Sequence, residues 1–269
     1  MKPVGAVHHL IHRLRHGGVA WLGSALRERI APAKPSFVTT AQTALAEHNG
    51  LEIGGPSRLF RRRGGIPVYA WAGKIDNVNF AAGTAWEAGL RDGGDFRFDA
   101  AKPTGRQFLR EAVNLHGLAE AGYDFVISSH CLEHIANPLA ALREWHRVTR
   151  PGGHLLLALP DPARTFDHRR PLTTLAHLQE DFLRGTGEED LTHLPEILPL
   201  HDLSRDPLAG SRGQFEIRAR ANPQNRCLHH HVFDLALLQS ALTESGWTVL
   251  ATEILAPLHL VAWAQKPTA

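Results

Sequence analysis

The sequence predicts an α/β fold, a mostly parallel sheet with helices on both faces. Three observations lead there. Phe125-Val-Ile127 is an apolar run with a β-branched centre, bounded by Asp124 and Ser128-Ser129, as in a strand buried on both faces. Asn137-Pro138 then supplies an N-cap and a first helical residue. Leu142, Trp145 and Val148, with Ala141 beside them, recur at helical spacing until Pro151-Gly152-Gly153 stops the pattern. Leu155 to Leu159 is a second apolar run, so 123–160 reads as a right-handed strand–helix–strand crossover whose polar corner, Ser128 to His134, faces a crevice.

These residues carry a resemblance. Asp124-Phe-Val-Ile-Ser-Ser-His-Cys-Leu-Glu-His134, followed one helix later by Arg147-Val-Thr-Arg-Pro-Gly-Gly-His-Leu155, resembles the fourth-strand and post-strand motifs of class I S-adenosylmethionine-dependent methyltransferases, in their small-molecule, type 11-like branch. The resemblance covers residues 50–160 firmly and 232–266 loosely. It implies a Rossmann-like sheet of seven mostly parallel strands with an antiparallel last strand, S-adenosylmethionine as cofactor, and a polar small molecule or a glycan or glycolipid precursor as methyl acceptor.

Residues 1–48 form a helical extension to a domain spanning 49–269. Val7, Leu10, Ile11 and Leu14, then Trp21, Leu22, Leu26 and Ile30, give two amphipathic stretches parted by Gly17-Gly18. A lid or packing helix is the preferred reading, and peripheral membrane contact through residues 1–30 is the alternative. Phe37 to His48 reads as helical. Gly50 to Ser57 is the first strand and its turn, where Glu52, Gly54 and Gly55 resemble a shortened form of the family's first motif and would hold the cofactor. Ile66 to Trp71 reads as the second strand. Asp76, about twenty residues past the glycines, is then placed to accept the ribose hydroxyls, although Asp76-Asn77 also suits an Asx turn. Residues 77–104 form an insertion. Residues 105–115 resemble the third strand, with Glu111-Ala112 where the family contacts adenine. Residues 161–231 are a polar, His-rich insertion, expected to lack a core of its own and to cover the acceptor site. Asp234 caps a helix ended by Gly246, and Trp247–Leu255 with Leu258–Trp263 make a final antiparallel pair.

Composition narrows the functional classes. The 269 residues carry 29 Lys+Arg against 27 Asp+Glu, a formal charge of +2, which argues against a general nucleic-acid surface and leaves only a local basic patch at Arg58, Arg61, Arg62 and Arg63. Cys131 and Cys227 match no metal or redox spacing, and no 18-residue apolar span appears, so a cytoplasmic location is expected.

The 18 histidines need a use. Methyl transfer to a hydroxyl or amine must align two groups and remove a proton, and histidine is the default base. His130, directly after the fourth strand, is the first candidate and, with Ser129, also lies at the cofactor. His134 is the second candidate, with a cap or orienting role preferred. His168, Arg169, His201, His229, His230 and His231 are candidate acceptor contacts. A hydrogen-bonded network is preferred to a metal site built from His229 and His231 with Asp167 or Asp202. The rival reading keeps the fold and turns the histidines into a metal-dependent hydrolase or binding site. The oligomeric state is left open.

Overall fold

The structure, a computed structural model, describes residues 33–84 and 87–268. Its eight strands are β1 (Asn49–Ile53), β2 (Lys74–Asn79), β3 (Asp95–Phe96), β4 (Gly105–Leu109), β5 (Tyr123–Ser129), β6 (Thr149–Pro160), β7 (Thr248–Leu255) and β8 (His259–Gln265). They form one sheet in the order β3-β4-β2-β1-β5-β6-β8-β7. The five central strands are parallel, and β8 runs antiparallel to both β6 and β7, as expected of the last strand. The expected count of seven is short by one. Two residues of the 77–104 insertion, Asp95 and Phe96, pair antiparallel with β4 at the sheet edge, too short a strand to show any periodicity.

The sheet is buried on both faces because its strands alternate two apolar sets. Val126 points into a cluster with Leu51, Ile53, Leu142 and Trp145, while its neighbours Phe125 and Ile127 enter a second cluster with Phe60, Tyr69 and Trp263. Helix α1 (Val38–Leu45) covers the second face, through Ala41 and Leu45. Ile66 to Trp71, expected as the second strand, is instead a turn leading into the short helix α2 (Val68–Trp71) on the same face. A short apolar run does not separate a buried helix from a buried strand, and Pro67 at the helix start removes a donor that a strand would need. The true second strand begins at Lys74.

On the first face, Asn137 caps helix α3 (Pro138–Val148), accepting a hydrogen bond from Ala140 N at 3.1 Å, while Pro138 occupies the first turn. The insertion is helical: α4 (Leu175–Arg184), α5 (Leu194–Leu200), α6 (Arg212–Arg220) and α7 (Asn222–Asn225). Contrary to expectation it has a small core, with Leu194, Ile197, Phe215 and Leu228 packed together. The apolar positions are spread over two helices and the connecting segments, so no single stretch displays them. Helix α8 (Leu235–Glu244), capped by Asp234, completes the first face. The two amphipathic stretches before residue 33, with their reading as a lid or packing helix and its membrane-contact alternative, lie outside the described residues. Among the described residues no helix is long and apolar enough to cross a membrane.

Candidate functional site

A cavity of about 610 Å³ opens at the carboxyl ends of β1, β2, β4 and β5, within the roughly 300–1,000 Å³ usual for small-molecule sites. Parallel strands place their carboxyl ends along one rim, where crossovers leave a crevice. The Gly54-Gly55 corner and the Ser129-His130-Cys131 corner meet across it, because β1 and β5 are adjacent.

The glycine corner is shaped from below. Gly54 adopts φ +81°, and a Cβ on Gly55 would fall 2.2 Å from Glu52 Cδ. Both positions require glycine, and the bare backbone they give lets a ligand approach closely. Glu52 does not line the cavity. It is fully buried, accepting from Ser57 N at 3.0 Å and from the Tyr69 hydroxyl at 2.7 Å, and burial pushes its carboxyl up to about 7. Its place is under the loop.

Asp76 lies away from the cavity too. Because β2 starts eight residues later than expected, Asp76 sits mid-strand and accepts from Arg106 N at 2.8 Å and from the Tyr123 hydroxyl at 3.0 Å. From this end Val78, Asn79 and Phe80 reach the cavity, with Thr84 and Glu87 from the following loop. Asn79 donates to Gly55 O at 3.2 Å, tying the β2 end to the glycine corner. Glu111 and Ala112 line the cavity after β4, and Glu111 pairs with Arg226 at 2.8 Å.

At the opposite wall His130 has φ +53°, a left-handed conformation uncommon for a residue with a Cβ and often found at functional positions. Its N–H donates to Ala158 O at 2.9 Å, and its Nε2 meets His259 Nδ1 at 2.8 Å. His259, at the start of β8, is absent from the sequence expectation; its one visible signal is its place beside the Pro257 turn. Burial holds both rings neutral, His130 well below the ordinary imidazole range and His259 near 4. Burial likewise pushes the Cys131 thiol up to about 12, so it is no nucleophile at neutral pH.

His134 lines the cavity and gives Nδ1 to the Leu228 carbonyl at 2.9 Å. Behind it, the buried Glu133 carboxylate lies 3.8 Å from His134 Nε2 and 3.9 Å from His229 Nε2. Burial opposes charge on His229, but Asp167, 2.5 Å from its Nδ1, raises its affinity for a proton.

The other expected acceptor contacts do not reach the cavity. His168 and Arg169 pair with Asp202 at 2.8 and 3.2 Å. His201 pairs with Asp206 at 3.2 Å and stacks between Phe166 and Phe215. The backbone N–H of His230 donates to Glu133 O at 2.8 Å, and His231 faces Asp181 at 3.0 Å. His229 and His231 therefore serve different carboxylates, and the alternative of a metal site built from both with Asp167 or Asp202 does not form. The insertion reaches the cavity through Glu188, Leu208 and Arg226 instead.

The family model described as a methyltransferase domain matches residues 70–252. No curated protein matches the chain. Solved structures similar to it include an S-adenosylmethionine-dependent methyltransferase from Mesorhizobium loti, 14% identical with TM-score 0.49 over 85% of this chain and 95% of that one. Another is a methyltransferase of the same dependence from Methanosarcina mazei, 15% identical, TM-score 0.47, over 86% and 98%. With a match over more than half its length, the chain belongs to the methyltransferase domain family.

Proposed function

We propose that this methyltransferase acts on a polar small molecule, with glycan and glycolipid precursors the first class to examine, and that His130 removes the acceptor's proton. The observation that carries the reading is the neutral His130–His259 pair on the cavity wall opposite the glycine corner. S-adenosylmethionine, when bound, supplies an electrophilic methyl group on a sulfonium. The chain's own residues must then hold the acceptor in line and take its proton.

In this reading Gly54 and Gly55 admit the cofactor's chain, and Glu87 takes the ribose role expected of Asp76. Glu111 and Ala112 meet the base. The acceptor end is polar: His130, His134, His259, Glu188 and Arg226 all line it. A neutral imidazole has a lone pair to offer, and His259 fixes the ring and shares the proton once it arrives. His134, locked at Nδ1 by a carbonyl, turns Nε2 toward Glu133 and serves to orient.

Incubation with methyl-labelled cofactor and a fractionated metabolite extract tests the acceptor class. Label is expected in polar, low-molecular-weight products and absent with His130→Gln. Label confined to protein or nucleic acid would contradict the reading.

A further inference from the structure

A second group of histidines lies outside the cavity. His177 stands on α4, His193 in the turn before α5, and His231 on the extended segment after α7. His177 Nε2 lies 2.9 Å from His193 Nε2, and the His231 ring centroid is 5.6 and 5.3 Å from those of His177 and His193. One imidazole nitrogen of each lies within 4.8 Å of the other two. Asp181, one turn beyond His177 on α4, places Oδ2 3.0 Å from His231 Nε2 and 3.4 Å from His177 Nε2.

Hydrogen bonding alone leaves this group in conflict. A neutral imidazole has one N–H and one lone pair, so only one of the two facing Nε2 atoms can hold a proton. If His193 holds it, its Nδ1 turns a lone pair toward Asp190 Oδ2, 3.8 Å away. If His177 holds it, the His193 Nδ1–H finds no acceptor within hydrogen-bond reach. His193 Nδ1 and His231 Nδ1 are both buried without a hydrogen-bond partner. A shared cation relieves the facing Nε2 pair, since both lone pairs turn to the ion; the His193 Nδ1–H then points to the Asp190 carboxylate, 3.8 Å away and beyond direct hydrogen-bond reach. Ligand atoms about 2.0–2.1 Å from a tetrahedral zinc are spaced by about 3.3 Å, and the contacts of 2.9, 3.0 and 3.4 Å bracket that spacing.

We propose that His177, His193 and His231 bind a divalent ion of the zinc class, with the Asp181 carboxylate in the fourth position. Imidazole-rich sites favour zinc and its first-row neighbours over magnesium or calcium. The ion ties α4 and the turn before α5 to the 229–231 segment. That segment backs the cavity, since His230 N donates to Glu133 O at 2.8 Å.

The test uses the full chain without a histidine tag, stripped by a chelator and titrated with Zn²⁺ alone, then with Co²⁺ as an optical probe. One equivalent retained through desalting and a tetrahedral cobalt spectrum are expected. His177→Ala and His193→Ala should abolish stoichiometric retention, Asp181→Asn should weaken binding about 10–100-fold, and the exposed His116→Ala should bind as the native chain does. Substoichiometric zinc in the native chain, an octahedral cobalt spectrum, or equal retention by both alanine variants would overturn the proposal. Should an alanine variant fail to fold, the native chain's stoichiometry and cobalt spectrum decide. A parallel titration with S-adenosylhomocysteine keeps the two sites apart: zinc bound without cofactor binding counts against the methyltransferase reading and leaves the metal site standing.

Discussion

Single residues set the chemistry of the cavity, and two of them make distinct predictions. His130 is kept neutral by burial and by its His259 neighbour. Its pKa is lowered, so the neutral, proton-accepting form persists as pH falls through the ordinary histidine range near 6.5. Activity should therefore be level from pH 8 to below pH 6 and fall only in more acid solution, as a kcat/KM profile would reveal; half-loss near 6.5 would point to an exposed base. His130→Gln should lower kcat about a hundredfold or more with little change in cofactor KM. Glu52 works from beneath. In Glu52→Ala the buried Tyr69 hydroxyl loses its acceptor, at about 2 kcal/mol in denaturant unfolding, and cofactor affinity should fall as the Ser57 turn loosens. The resemblance to the family's first motif made Glu52 an expected cofactor contact, since an acidic residue before the glycines has two equally plausible directions along a strand. Only the parallel pairing of β1 with β2 and β5 turns it under the loop.

At the scale of elements, the β5–α3–β6 crossover was legible because its signals are local. An apolar run, an Asn-Pro cap and a Pro-Gly-Gly stop each act within a few residues. The cap joins element to element as well, since Asn137 Nδ2 donates to Asp181 O at 3.0 Å on α4. Asn137→Ala should cost about 1–2 kcal/mol, measured as a lower midpoint in thermal or denaturant unfolding; an unchanged midpoint would show that the cap is replaced by water. The second strand was not legible. Ile66 to Trp71 is more apolar than Lys74 to Asn79, whose Asn77 and Asn79 are buried polar groups satisfied by Gly55 and Gln107. A strand built on such a network has no apolar period, and misplacing it carried Asp76 into the site in place of Asn79 and Glu87. The insertion failed for a related reason: several of its histidines are answered by carboxylates far away in sequence, His168 by Asp202, His229 by Asp167 and His231 by Asp181.

The whole molecule carries the histidines as a pH liability. Among the described residues His130, His134, His146, His154, His193, His230, His231 and His259 all have lowered pKa values, burial being the leading cause for each. The unfolded chain takes up protons near 6.5 while the folded chain does not, so stability is full above that pH and declines as pH falls toward 4. Each fully buried histidine contributes up to about 1.4 kcal/mol per pH unit across that window. His229 and the buried carboxyls Glu52, Glu133 and Glu188 oppose the trend, their raised pKa values adding stability at low pH that is lost as pH rises through them. Four groups face eight. Urea unfolding at pH 7.5, 6 and 5 should show a falling midpoint; a midpoint that rises toward acid would mean that these rings find partners when charged.

The central claim is that the glycine corner and the Ser129-His130 corner hold an adenosyl cofactor between them. Calorimetric titration with S-adenosylhomocysteine tests it most directly, on the native chain and on Gly55→Val, whose side chain would collide with Glu52 and displace the loop. One site of micromolar affinity is expected, lost in a Gly55→Val protein that remains folded. No heat of binding from the native chain, or equal binding by the folded variant, would contradict it.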